Sequence, residues 1–276
     1  MFSYYRNRAA KNSIRSNVAL TDEQMAKVAP SIFAQQAHES RSDRYAYIPT
    51  IEILNGLRKE GFFPFSAMQT TTRKEGHREF TKHLVRMRHY NSQEKQGDVN
   101  EILLINSHNG ASSYQMMAGC FRFVCSNGMI CGDIASEIRV RHQGNIQDNV
   151  IEGATRILED FELVDQHKEE MRAITLSRSE QEIFANNFLQ LRYDDPTKPM
   201  PVNADLILQP RRHEDNKNTL WSTFNVIQEN TIKGGVWGRN AKGRLQKTRA
   251  VKGIDQDIKL NKALWAMAEQ MKALKA

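Results

Sequence analysis

The sequence predicts an α+β protein: an antiparallel β-meander with helices packed on one face, followed by a basic helical C-terminal region. Three observations carry that expectation. Between Phe62 and His142, short runs of apolar and β-branched residues are separated by turn-forming pairs, the mark of strands. From about Gln147 the apolar spacing changes to three and four residues, the period of an amphipathic helix. Positive charge then collects after Pro210, with fourteen Lys or Arg against six Asp or Glu, whereas residues 1–209 hold 25 against 26. The chain accordingly divides into a polar N-terminal segment (1–19), an α+β core (20–200) and a basic helical region (201–276).

Taken in order, Thr21 with Gln24 forms a capping box that opens a short helix. Pro49 and Thr50 start IEILNGLRKEG, about three turns stopped by Gly61. The strands follow: FFPFSAMQTTTR, REFTKHLVRMRHY, EILLINS, the hairpin around CFRFVCSNGMICG, and EIRVRH. NSQEKQGDVN and Asn109-Gly110 supply turns between them. NVIEGATRILEDFELV is helical, and SRSEQEIFANNFLQLRY starts with capping boxes at Ser177 and Ser179. After the proline-rich DDPTKPMPVN come a short helix ending near Pro210, the helix NTLWSTFNVIQENTIK and a glycine-punctuated basic loop. The final helix, DIKLNKALWAMAEQMKALK, carries the stripe Leu260, Leu264, Trp265, Met267, Ala268 and Met271, read as helix packing.

The three cysteines fall within twelve positions, in CFRFVCSNGMICG. Asn-Gly between apolar residues signals a two-residue hairpin, since both central residues need positive φ. With Asn127-Gly128 as the loop, Cys125 and Cys131 point to opposite faces. Cys120 shares the face of Cys131 but lies roughly 13 Å along the strand. That spacing suits neither a disulfide nor a zinc site, so the thiols are read as small buried hydrophobes. Their odd number, and an N-terminus without an apolar leader, point to a reducing cytoplasm. No apolar run approaches the ~18 residues of a membrane span.

Four segments, PSIFAQQAHESRSDRYAYIPT, SSYQMMAGCFRFVCSNGMICG, LWSTFNVIQENTIKGG and GIDQDIKLNKALW, resemble segments of the YfjQ/YafZ/YubP family, proteins of enterobacterial plasmids and prophages. The resemblance runs from about Leu20 almost to the C-terminus. It implies a soluble protein carried by a mobile element and brings no catalytic residues with it.

Two basic features stand out as sites. In HLVRMRHY and EIRVRH, Arg86 and Arg88, then Arg139 and Arg141, alternate with apolar residues, and Arg122 alternates with Phe121 and Phe123. In one sheet these arginines would make a basic face backed by a core, suited to phosphate oxygens. The competing reading is a solvated face whose arginines pair with acidic neighbours. The second feature is the stretch 232–253, with Lys233, Trp237, Arg239, Lys242, Arg244, Lys247, Arg249 and Lys252, five glycines and no acidic residue. Arg211 and Arg212 precede it. Glycines admit a phosphate backbone, cations neutralise it, and an indole stacks on an unpaired base. The competing reading is a solvated connector whose tryptophan packs on the domain. The stretch is not a Walker loop, because G-x4-G-K-[ST] is absent.

His38 with Glu39, and His108 near Ser112 and Ser113, fall in no catalytic motif, and AHESRSDRYAYIP reads as a turn tied by Arg41, Asp43 and Arg44. No catalytic residue, metal or cofactor is assigned. The expectation is nucleic-acid binding, single-stranded DNA favoured, in plasmid or phage DNA metabolism such as annealing or recombination. The βββα core of single-strand annealing proteins is a parallel of architecture only. The alternative is a protein-binding module that inhibits a host defence factor through the same surface. A homo-oligomer is a further partner class.

Overall fold

In the computed structural model, which describes residues 12–39, 47–74, 76–92, 94–131, 137–142, 144–195 and 197–275, the chain forms two units. The first comprises residues 1–122 and 133–161, the second residues 123–132 and 162–276. The division therefore falls near residue 161, not at 200, and a piece of the cysteine-rich stretch belongs to the second unit. The expected turn at Arg41, Asp43 and Arg44 lies outside the described residues.

The first unit opens with β1 (Ser13–Arg15), an edge strand inside the segment read as merely polar. Thr21 and Gln24 form the expected capping box on α1 (Asp22–Val28). The next helix, α2 (Thr50–Lys59), ends before Gly61, whose φ of 86° only glycine adopts freely. The strands β2 (Phe62–Gln69), β3 (His83–His89), β4 (Asp98–Asn106) and β5 (Tyr114–Arg122) pair antiparallel in sequence order. The sheet is extended by β1 on β2 and by β7 (Ile138–Val140) on β5. This is the predicted α+β meander.

One face of the sheet carries Val85, Leu104, Met116 and Ala118, all buried. The helix α3 (Ile146–Glu159) packs here, and Gly153 permits the approach. A Cβ at that position would lie 2.4 Å from Met116 Cε and 3.0 Å from Ile138 Cγ2.

The second unit is mostly helical: α4 (Phe161–Ala173, from Glu162 on), α5 (Arg178–Arg192), α6 (Ala204–Ile207), α7 (Leu220–Gln228) and α8 (Ile254–Lys275). Ser177 and Glu180 cap α5 reciprocally, as predicted. All nine residues of α7 are buried, and the helix runs into a π-helical turn, Glu229–Lys233. Trp221 stacks on Phe224, which meets Trp265 of α8 edge-on. Leu260, Leu264, Trp265 and Ala268 of the predicted stripe are buried. No helix among the described residues is long and apolar enough to cross a membrane.

The expected two-residue turn at Asn127-Gly128 is displaced. The turn occupies Phe123–Ser126, closed by Ser126 N–H donating to Phe123 O at 3.2 Å, with Ser126 at φ 52°. Asn127 and Gly128 begin β6 (Asn127–Ile130). Contacts from distant chain override the local preference here. Lys233 Nζ donates to Cys125 O at 2.9 Å, and Gln228 Nε2 donates to Gly128 O at 3.4 Å. Cys120, Cys125 and Cys131 are all buried free thiols.

Candidate functional site

The arginine-bearing face of the central strands is not a solvent surface. Arg86 and Arg88 are 3% and 7% exposed, and both meet Glu101, itself 1% exposed. Arg88 Nε donates to Glu101 Oε1 at 2.8 Å, and Arg86 Nη1 donates to Oε2 at 3.3 Å. The β3–β4 register causes this: Arg86 pairs with Leu103, which places Glu101 two residues along on the same face. The rings of Phe65 and Phe121 stack against the Arg88 guanidinium at 4.3 and 4.9 Å. Arg122 does not share this face: the β4–β5 register puts it on the other side of the sheet, opposite buried Asp98 at 4.0 Å. These three arginines pair with acidic neighbours, and two of them do so inside the core.

Arg139 and Arg141 stay on the surface. Arg139 pairs with Glu137 at 2.6 Å, and both arginines border a groove of about 380 Å³ with Asn149, Glu152 and Arg156. Arg156, which the strand pattern did not point to, is ion-paired with Glu152.

A polar core lies on the opposite face of the same sheet. Thr50 Oγ1, at the start of α2, is 2.9 Å from His83 Nε2, 3.2 Å from His108 Nε2 and 3.1 Å from Asn106 Nδ2. His83 Nδ1 meets Ser31 Oγ at 3.0 Å and Thr81 O at 3.3 Å. A carbonyl only accepts, so Nδ1 carries the proton and Nε2 accepts from the Thr50 hydroxyl. Burial, then the nearby His108, lowers the His83 pKa to about 3. Burial, then His142, lowers that of His108 to about 4. Both rings are therefore neutral at physiological pH, and His108 sits with Thr50 rather than beside Ser112 or Ser113. His38, the other histidine singled out in the sequence, donates its backbone N–H to the backbone carbonyl of His108 at 3.1 Å.

In the second unit, three of the expected phosphate ligands serve Glu229 instead. Arg212 donates to both its carboxylate oxygens at 2.7 Å and to Asp215 at 2.9 Å. Lys233 Nζ lies 3.3 Å away and Arg211 Nη1 4.0 Å. Burial opposes ionisation of Glu229, but the hydrogen bonds and charge of Arg212, with Lys233 and Arg211, hold its carboxyl below the usual range. Arg211 also donates to Asn230 Oδ1 at 2.7 Å and to Gly234 O. Arg211, Arg212 and Lys233 thus hold the π-helical turn in place.

The glycine-punctuated loop folds into a hairpin, β8 (Trp237–Arg239) and β9 (Leu245–Lys247). At its tip, Asn240 Oδ1 accepts the N–H groups of Lys242 and Arg244 at 3.0 and 3.1 Å, and Gly243 takes φ 73°. Next to the tip, at the end of β8, the Arg239 backbone N–H donates to Pro201 O at 2.8 Å. Gly238 allows this contact, since a Cβ there would lie 2.0 Å from Pro201 O.

The register sets Trp237 opposite Lys247 and Arg239 opposite Leu245, so these four share one face while Gly238 turns inward. Trp237 is 55% and Leu245 64% exposed. Lys247 Nζ sits 4.9 Å from the centroid of the indole. Arg239, Lys242, Arg244, Lys247, Arg249 and Lys252 are exposed, and none has a carboxylate partner among the described residues. Beside the hairpin runs a cleft of about 590 Å³, lined by Trp237, Arg239, Leu245, Met200, Val202 and Asn186, with Pro201, Asn203 and Leu206 completing its wall.

Trp237 and the exposed cations were visible in the sequence. Leu245, Met200 and Asn186 were not, because only the docking of the hairpin on Pro201 assembles them. Among the described residues no cluster of His, Cys, Asp and Glu is arranged to hold a metal ion.

Comparison with known proteins gives a consistent placement. Residues 37–265 match the family described as Domain of unknown function (DUF932). The chain is 48% identical to the UPF0380 proteins YafZ and YfjQ of Escherichia coli (strain K12), over 262 residues and 95% of each chain. No solved structure matches. With the family match spanning most of the two units and near-full-length relatives at that identity, the chain belongs to the DUF932 family, alongside YafZ and YfjQ.

Proposed function

We propose that the protein binds single-stranded nucleic acid, DNA in the first instance, through the β8–β9 hairpin. The observation that carries this reading is the exposed Trp237 among cations that lack carboxylate partners among the described residues. Cations without internal partners are self-repelling and favour a polyanion. An exposed indole offers a stacking surface that unpaired bases supply and a duplex does not. The tip is held by its own Asn240 hydrogen bonds, so little ordering remains to be done on binding. Arg86, Arg88, Arg122, Arg211, Arg212 and Lys233 drop out of the binding set, because their charges serve internal carboxylates.

In a protein of a plasmid or prophage, such binding would support annealing or recombination. The test is fluorescence anisotropy with labelled single- and double-stranded oligonucleotides between about 50 and 200 mM salt. Salt-dependent binding with single strands preferred supports the reading. No binding at the low end sinks it and promotes an acidic protein partner, such as a host defence factor.

A further inference from the structure

The cleft beside the hairpin has features that stacking on Trp237 alone does not use. At about 590 Å³ it lies within the roughly 300–1,000 Å³ usual for small-molecule sites. Met200, Leu245 and Trp237, three large apolar side chains left 47–64% exposed, all line it. Its polar groups are few and separate. Asn186 is exposed, and its carboxamide has no hydrogen-bond partner among the described residues. Arg239 brings a guanidinium from the hairpin. No acidic residue lines the space.

We infer that this cleft is a pocket for one unstacked nucleobase of the bound strand. The inference rests on the single-strand reading above and deepens it. An apolar wall with an indole on one side suits the faces of a base. A carboxamide, which both donates and accepts, suits the edge of a base. The cations continue from the cleft along the hairpin through Arg239, Lys242, Arg244 and Lys247, where the adjoining phosphates would run. An acidic peptide would match the cations but leave the cleft without a planar group. A base drawn into the cleft has left its stack, so a duplex must first unpair, which accounts for a preference for single strands.

The experiment places one 2-aminopurine at successive positions of a short single-stranded oligonucleotide and measures acrylamide quenching on the full-length protein. One position should be shielded well beyond its neighbours. Leu206→Trp, which fills the cleft and leaves Trp237 in place, should weaken binding about 5- to 150-fold, the contribution of one base. Its salt slope should match that of the parent protein. Asn186→Ala, at an exposed position, checks the edge contact if Leu206→Trp fails to fold. Oligonucleotide binding with all positions equally quenched, and with Asn186→Ala and any folded Leu206→Trp neutral, overturns the pocket and leaves the hairpin reading standing. Absence of binding to any oligonucleotide at low salt overturns both.

Discussion

Arg88 and Glu101 face each other from neighbouring strands, Nε to Oε1 at 2.8 Å, with neither side chain more than 8% exposed. Arg86 shares the same carboxylate. An ion pair in water contributes little, but removing one member of a buried set leaves the remaining charge without compensation.

Glu101→Ala should therefore destabilise the first unit by about 3–5 kcal/mol, measured by urea denaturation. Arg88→Ala should also lower stability. A folded Arg88→Ala with normal stability and selectively lost oligonucleotide binding would return this residue to the interface.

Replacing Lys242, Arg244, Lys247 and Arg249 together by alanine should weaken binding to every sequence alike. It should also flatten the log-log dependence on salt, by roughly 0.7 per lost phosphate contact on a single strand. The stability of the protein should hardly change, because these cations lack carboxylate partners among the described residues. Anisotropy titrations across salt concentrations read both effects.

Trp237→Ala should have a different signature. Loss of the stacking surface should cost about 1–3 kcal/mol of affinity for unpaired bases. The salt slope should stay near that of the parent protein, because no charge is removed. A slope change of roughly 0.7, one phosphate contact, would mean that Lys247, 4.9 Å above the ring, loses its position along with the indole.

Gly238→Ala tests the anchoring of the hairpin. With only 2.0 Å between the added Cβ and Pro201 O, the strand must lift from its support, at a cost of about 1–3 kcal/mol. Hydrogen exchange at the Arg239 N–H, bonded to Pro201 in the parent protein, should accelerate. Affinity for oligonucleotides should fall with it.

The Thr50–histidine core sets an acid limit on stability. His83 and His108 stay neutral in the fold down to about 3 and about 4, against 6.5 for an unperturbed imidazole. Between those values the unfolded chain binds more protons, so stability is complete above about pH 6.5 and is lost as the pH falls through that window. Melting temperature should begin to drop near pH 6.5, before carboxylates protonate. The decline should be shallower in His108→Asn, whatever its absolute stability.

What the sequence made legible was local. Thr21 with Gln24 and Ser177 with Glu180 announce their helices through side chains three residues apart, and both caps form. Exposure of the hairpin cations followed from a run without acidic residues. The burial of Arg86 and Arg88 was not legible, because it depends on the register that brings Glu101 alongside. The polar core draws on Ser31, Thr50, His83, Asn106, His108 and His142, which no spacing rule connects. At Ser126 a strong local signal lost to distant contacts: Asn-Gly asks for the turn, but Lys233 and Gln228 hold the backbone elsewhere.

Residues 123–132 leave one unit and fold with the other, so neither half of this protein is a single stretch of chain. On the ribosome, β6 is made before the first unit has received its helix α3, and long before its own neighbours α7 and α8. At roughly 5–20 residues per second, that strand waits on the order of ten seconds for its partners. The two halves cannot mature one after the other; their assembly overlaps in time. No single proteolytic nick or fusion junction can release either half whole, because each is threaded through the coding order of its neighbour.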